Sequence, residues 1–303
     1  MKNILVTGGS GLLGRHLKEV MPEATYISSK DYDLTSEAAV QKLCKQGWDN
    51  IIHLAARVGG IIDHLTFPAE FIEQNLLINT LLLKYARLNN VPRVTAILST
   101  CIYPDVYETY PMIEEDLHEG KPQASHFGYA IAKRALAVQT DAYNKQFQTK
   151  YNYLIPCNLY GEFDKFDEEK SHYLTALIGK LIKAERDGKN QVNLLGTGKP
   201  FRQVLYAGDL ARVIKYCIEN DVTESFNVAT DDNLSIRQIA ETALKACGLE
   251  HLELVFDSSK PDGQFRKDVS NARMRKIMPN FQFTPWETGI RQVYQYYKNN
   301  NIV

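Results

Sequence analysis

The stretch Thr7–Gly14, TGGSGLLG, follows directly on the apolar run NILV and opens into a helical pattern from about Leu12. Gly8, Gly11 and Gly14 stand three apart. Glycine permits positive φ and close approach of the backbone to a bound group, and the free N–H groups and dipole of a helix start favour an anion. A strand, a glycine turn and a helix in that order predict a dinucleotide whose pyrophosphate rests on Gly8, Gly9, Ser10, Gly11, Leu12, Leu13, Gly14 and Arg15. The competing account is a tight turn with no ligand, and the strand–turn–helix setting weighs against it.

Outward from this loop, short β-branched runs alternate with helical stretches: NILVTG, the helix from about Leu12, TYISS, a helix near Ser36 to Gln46, NIIHLAA, a long helix to about Asn89, and VTAILS. That alternation predicts an α/β protein with a Rossmann-type doubly wound parallel sheet. A loop with Pro104 and Pro111, a helix from about Gly128 to Gln146 and the buried run YNYLIP complete this half. Beyond Asn158, polar segments (GEFDKFDEEK, SSKPDGQFRKD) alternate with the helical patterns YLTALIGKLIKAE and SIRQIAETALKAC, while SFNVAT reads as a strand returning to the sheet. The expected division is a dinucleotide-binding domain over residues 1–160, with returning segments near 203–230, and a smaller interleaved α/β substrate lobe over 161–303. No internal repeat or glycine-serine linker separates the two.

The chain has 303 residues, and its 44% hydrophobic content is ample for a sizeable core. A formal net charge of -1 without a long basic run removes the electrostatic footprint of nucleic-acid or anionic-membrane binding. The apolar run at the N-terminus is far shorter than the roughly 20 residues a membrane span needs. Five scattered cysteines with no C-x-x-C pair suggest neither a disulfide framework nor a metal site, and fit a reducing cytoplasm. Small molecules or copies of the same chain are the expected partners.

The choice of dinucleotide falls near the end of the second strand, where an acid would bind the adenosine ribose of NAD and repel a 2′-phosphate. That place reads Ser28-Ser29-Lys30, with Arg15 nearby. Two hydroxyls and cations suit a phosphomonoester, so NADP(H) is expected on Ser29 and Lys30. Asp31 and Asp33 leave NAD open, since a longer strand would make either one the ribose acid. Asp33 is otherwise expected beside the adenine, with Leu34.

Tyr129 and Lys133 in GYAIAK stand four apart at a helix start and share one face. A phenol is a poor acid–base catalyst at neutral pH, but an ammonium one turn away is expected to draw its pKa downward. Ser99, at the end of the preceding strand, would hydrogen-bond the same carbonyl oxygen. The spacing alone is common on helices; the glycine loop and the serine give it weight.

These motifs (TGGSGLLG, HLAA at His53–Ala56, Ser99 and Tyr129-x-x-x-Lys133) resemble the extended short-chain dehydrogenase/reductase family. More narrowly, SSKDYDL, HLAARVGG, STCIYPD, FGYAIAKR, PCNLYGEFDKF, SHYLTALIGK, GTGKPFRQ and KPDGQF resemble its branch of NADPH-dependent GDP-4-keto-sugar epimerase-reductases, over nearly the whole chain. The resemblance implies inversion at C3 and C5 of GDP-4-keto-6-deoxy-mannose, then reduction at C4. Dehydratases of the wider family carry an acidic pair after the serine, whereas this chain has Thr100-Cys101. A carboxylate pair suits loss of water; a thiolate with its pKa near neutrality suits removal of a proton α to a ketone. Cys101 is thus implied as the base and His172 as the acid on the opposite face; an isolated cysteine would ordinarily read as a small buried hydrophobe.

By the same resemblance, Leu54, Ala55, Ala56, Pro156, Asn158, Leu159 and His172 border the cofactor, together with Tyr129 and Lys133. Asn158, Lys180, Leu195, Arg202 and Asp262 are implied for the GDP-sugar, whose pyrophosphate calls for cations. A homodimer is implied through a four-helix contact of about Phe71–Asn89 and Gly128–Gln146. The chain departs from the family pattern at Leu195, usually tryptophan, and at Glu162, usually proline. A roomier pocket keeps open a C4 reductase of another GDP-4-keto sugar, such as a heptose. A non-catalytic NADP-binding regulator is the remaining alternative, though it has no need of Ser99, Tyr129 and Lys133 together.

Overall fold

The computed structural model describes residues 2–164, 166, 173–260 and 262–303. In the first half, β1 (Ile4–Thr7), α1 (Leu12–Val20), β2 (Thr25–Ile27), α2 (Glu37–Cys44), β3 (Asn50–His53), α3 (Ile61–Thr66), α4 (Pro68–Leu88), β4 (Arg93–Ile97), α5 (Phe127–Phe147) and β5 (Asn152–Pro156) follow in order. The second half contains β6 (Asn158–Tyr160), α6 (Tyr173–Arg186), β7 (Gln191–Leu195), β8 (Phe201–Arg202), β9 (Val204–Tyr206), α7 (Ala207–Glu219), β10 (Phe226–Val228), β11 (Leu234–Ser235), α8 (Ile236–Cys247), β12 (Glu253–Asp257), α9 (Ala272–Ile277) and α10 (Trp286–Asn299).

β1, β3 and β4 are buried at every position, as a parallel sheet covered on both faces requires. The strands line up β2-β1-β3-β4-β5-β10, all parallel. From β1 the chain goes to β2 on one side and then to β3 on the other, so the direction of winding switches between β1 and β3. Ligands of such sheets bind at the carboxyl ends of the strands at that switch.

The return of Phe226–Val228 beside β5 matches the reading of SFNVAT. Within the segment near 203–230, Val204–Tyr206 pairs outside the main sheet, while Leu205, α7 and β10 pack in the cluster built on it. Cys157 N–H donates to Val228 O at 3.0 Å. The strand breaks there, and Asn158–Tyr160 pairs with Val204–Tyr206 in a separate parallel ladder.

Two hydrophobic clusters form. One is built on the main sheet and includes α7 and also Val269, Met274 and Met278. The second joins Tyr160, α6, β7, α8 and α10. The return of 269–278 to the first cluster went unseen in the sequence. It is pinned by Met112, whose N–H donates to Asp268 O and whose carbonyl accepts from Ser270 N–H. The preceding residues, 262–267, are thereby carried across the carboxyl end of β4.

Candidate active site

The turn after β1 fits a dinucleotide pyrophosphate. Gly8 has φ +71, and a Cβ there would lie 2.9 Å from Ala55 N; a Cβ on Gly14 would lie 2.6 Å from Gly8 O. Only glycine brings turn, helix and the β3 loop this close. The N-cap of α1, Gly11, supplies no side-chain cap, which leaves the first N–H groups available to an anion. Behind the loop, Ala55 N–H donates to Thr7 Oγ1 (3.2 Å), and Thr7 Oγ1 lies 2.9 Å from His53 Nδ1. His53 Nε2 lies 3.0 Å from Asn79 Oδ1. Since Asn79 Oδ1 can only accept, Nε2 carries the hydrogen and Nδ1 accepts from Thr7. Burial, then the Lys133 charge, push His53 down to about 3, so this imidazole is a neutral strut that fixes Leu54–Ala56.

At the end of β2, Ser29 and Lys30 are exposed. Asp31 accepts from the N–H and hydroxyl of Ser28, both at 2.8 Å, and these bonds hold its carboxyl below the usual range. Asp33 is tied in the same way to the N–H and hydroxyl of Thr35. Each acid is engaged with its own turn, and Lys30 beside them is exposed.

At the carboxyl end of β4, Ser99 Oγ accepts from Cys101 N–H at 3.4 Å and caps the single turn Thr100–Ile102. The hydroxyl thereby orients the turn that carries the Cys101 thiol. Lys133, buried on α5, donates to Ile97 O at 2.7 Å, and burial lowers it to about 8. Its Nζ lies 5.9 Å from the Tyr129 ring centroid. Burial, and then the charge of Cys101, hold the Tyr129 phenol above its ordinary range. The expected downward pull by Lys133 is therefore not met. The ammonium is anchored to the strand, and the phenol keeps its proton, which suits an acid.

Cys101 itself is half-buried. Burial would raise its thiol, but the Lys267 charge, with His126 and the Ser99 hydroxyl, outweighs it and brings the thiol down to about 5. Lys267 Nζ stands 3.9 Å from Cys101 Sγ. His126 closes the turn Ala124–His126 that leads into α5, and its Nδ1 lies 3.1 Å from Ser125 Oγ. His64 on α3 packs against Phe71 (3.9 Å between ring centroids), Tyr129 (5.4 Å) and His126 (6.1 Å). Burial and His126 lower His64 to about 4, leaving it neutral.

The other predicted positions fall around this corner. Arg202 donates to Gln264 O at 2.7 Å, and Asp262, Cys101 and Tyr173 all lie close enough for their charges to act on it. Asp262 accepts from Thr197 N–H (2.8 Å) and hydroxyl (2.6 Å) and shapes the Gly196 turn. Asn158, the first residue of β6, donates to Gln203 O at 3.0 Å; Leu159 follows it in β6, and Pro156 ends β5 two residues before. Lys180 donates to Asn193 O on β7, at 3.2 Å, and Leu195 is 67% exposed. His172 lies outside the described residues. Lys267 and His126 were missed in the sequence. The signals were a lysine just past KPDGQF and a histidine three residues before Tyr129.

A parallel sheet with a glycine cradle at its switch point, and a serine, tyrosine and lysine at the next strand end, define a Rossmann-type protein with a reductase-like site. The chain belongs to the NAD dependent epimerase/dehydratase family, which matches residues 4–229. It is 36% identical over 99% of its length, and 98% of the relative's, to a Drosophila melanogaster protein named "Probable GDP-L-fucose synthase". A crystal structure of a GDP-L-fucose synthetase from Naegleria fowleri bound to NADP superposes with TM-score 0.90 and 34% identity, over 99% of this chain and 93% of that one. A GDP-6-OMe-4-keto-L-xylo-heptose reductase from C. jejuni superposes with TM-score 0.88 and 25% identity, over 99% and 98%. Among the described residues no helix is long and apolar enough to cross a membrane.

Proposed function

We propose that this protein inverts C3 and C5 of GDP-4-keto-6-deoxy-D-mannose and then reduces C4 with NADPH, giving GDP-L-fucose. The observation that carries the reading is the Cys101 thiol, drawn down to about 5 by Lys267 and His126 in the same corner as Tyr129. The relatives named as GDP-L-fucose synthases support the substrate.

Exposed Ser29 and Lys30 would hold the 2′-phosphate of NADPH, and the glycine cradle its pyrophosphate. When bound, the dinucleotide supplies hydride to C4. The 4-keto group acidifies the hydrogens at C3 and C5, and the Cys101 thiolate removes each in turn. Ser99 and Tyr129 donate hydrogen bonds to the enolate oxygen. His172 remains the proposed acid on the opposite face. Tyr129, with its phenol held protonated, gives its proton to the C4 oxygen as hydride arrives. Lys133, fixed on Ile97 O, positions that helix face and grips the nicotinamide ribose. Arg202, Lys180 and Asp262 hold the GDP-sugar, with Asn158 and Leu195 lining its path. The Asp262 carboxylate is placed by Thr197.

Loss of NADPH absorbance on addition of GDP-4-keto-6-deoxy-mannose tests the reduction, with NADH run in parallel. In heavy water, wild type incorporates deuterium at C3 and C5, whereas Cys101→Ser loses this exchange by about 10²–10⁴-fold, the contribution of a positioned base. Exchange unchanged in the variant removes Cys101 from the role.

A second reading, a C4 reductase of another GDP-4-keto sugar, is favoured by one feature: Leu195 is largely exposed where a bulky aromatic would narrow the pocket. A panel of GDP-4-keto sugars, heptoses included, separates the two. A homodimer belongs to the proposal as well, since α4 and α5 pack together and expose Leu77 and Val138. Sedimentation at a dimer's mass checks it. Five free cysteines are consistent with a cytoplasmic location.

A further inference from the structure

Removing protons from the two carbons beside one carbonyl demands a base that keeps its place relative to the groups holding the carbonyl oxygen; a misplacement of about 1 Å can cost roughly 10²-fold. Cys101 rides on the single turn Thr100–Ile102, whereas Tyr129 rides on α5. The turn's own bonds are long for N–H···O: Ile102 N–H to Ser99 O at 3.1 Å, Tyr103 N–H to Thr100 O at 3.3 Å and Cys101 N–H to Ser99 Oγ at 3.4 Å. Its anchorage has to come from outside the turn.

We propose that Arg134 is the positioning residue for the thiol: it binds that turn to α5 and so holds Cys101 in place relative to Tyr129. The inference rests on the function proposed above. Arg134 Nε donates to Ile102 O, and its Nη1 donates to Gly120 O at 2.6 Å. Ile102 is fully buried, so without the guanidinium its carbonyl has no water to turn to. Lys133, the preceding residue, donates to Ile97 O at 2.7 Å. Neighbouring side chains of α5 thus grip the backbone on both sides of Ser99 and Cys101, one at the end of β4 and one at the end of the turn. The second arm of Arg134 reaches the loop at Gly120, where a Cβ would lie 3.1 Å from Pro104 Cβ, so the chain leaving the turn is wedged as well.

A guanidinium presents several N–H donors in a rigid fork, and two of them here reach separate carbonyls. A lysine could satisfy one of these carbonyls and would leave the other unmet. Lys267 acts on the state of the sulfur through its charge. Arg134 bonds to backbone carbonyls and fixes where the sulfur stands, so the two roles answer to different measurements.

The test measures deuterium exchange at C3 and C5 of GDP-4-keto-6-deoxy-mannose in heavy water with NADP+, beside iodoacetamide alkylation of Cys101 against pH. Arg134→Met removes the donors and should slow exchange about 10²-fold, with the KM for the sugar and the Kd for NADPH within about twofold of wild type. Its alkylation midpoint should stay near pH 5. Arg134→Lys should recover part of the lost rate, and so should guanidinium added to Arg134→Met. NADPH titration by fluorescence confirms that each variant is folded, and should Arg134→Met fail to fold, Arg134→Lys carries the same comparison. Exchange at the wild-type rate in folded variants overturns the proposal, as does a loss matched by an upward-moved alkylation midpoint, which would make Arg134 a charge acting on the thiol. A wild type that exchanges neither hydrogen would sink the epimerase reading itself, a distinct result.

Discussion

The dinucleotide cradle and the sugar corner are assembled over different distances in the chain. The cradle's turn and the first turn of its helix occupy residues 7–15, and its strut reaches only to His53 and Asn79. The sugar corner depends on Lys267 reaching Cys101 across 166 positions. In the cradle, backbone geometry and neutral hydrogen bonds do the positioning. In the corner, charges set the state of one sulfur. The cradle should therefore fail sterically and as a unit, and the corner electrostatically and by degrees.

The largest expected effect is at Gly8. Valine there meets both a left-handed φ and a backbone nitrogen 2.9 Å from its Cβ. The two costs, about 1–2 and 1–3 kcal/mol, predict Gly8→Val to lose roughly 2–5 kcal/mol in urea unfolding, with NADPH binding lost as well. A variant of wild-type stability that fails only to bind NADPH would show that the turn serves the ligand and not the fold.

Next comes Lys267→Met. Removing a cation about 4 Å from a thiolate is expected to raise its pKa by roughly 1–3 units. In wild type the alkylation of Cys101 by iodoacetamide should titrate near pH 5. The folded thiol lies below its ordinary value, so the stability it contributes is present in full above about pH 9 and is lost progressively as pH falls toward 5. Lys267→Met should narrow that window from its acid side. An unmoved titration would leave His126 and Ser99 as the groups that hold the thiolate.

What was legible in the sequence follows the same contrast. The strand–turn–helix at 4–20, the long helices and the strand ends at Ser99 and Pro156 are local patterns, and periodicity found them. Cys101 stood out because a thiol beside Ser99 has a chemical use there. Lys267 did not, because nothing local distinguishes it from the exposed Lys260 nearby. Non-local contacts such as the Met112–Val269 bridge and the bond from Gln264 Nε2 to Asp105 O bring that segment over β4. Val204–Tyr206 likewise finds a non-local partner in β6, while β5 pairs with β10.

Thr7→Val probes the strut with a smaller effect. It leaves the Ala55 N–H and His53 Nδ1 without a partner, a loss of about 1–3 kcal/mol by urea unfolding at neutral pH. His53 is a base depressed to about 3, so the unfolded chain binds the proton that the fold refuses. Stability then falls as pH drops from about 6.5 toward 3, and His53→Gln should flatten that slope. A slope that persists would point to other groups.

The smallest effect is at Lys30, where cofactor choice is read. Asp31 accepts both of its bonds on Oδ2 and Asp33 both of its on Oδ1, so each carboxylate is oriented by its own turn. Lys30 faces water, and solvent screening limits its hold on a 2′-phosphate to about 1 kcal/mol. Lys30→Ala should weaken NADPH roughly fivefold and leave NADH unchanged, and the difference should shrink with added salt as the Debye length shortens. Equal weakening of both cofactors would mean that Lys30 shapes the loop, and the preference would then have to come from Ser29 and Arg15.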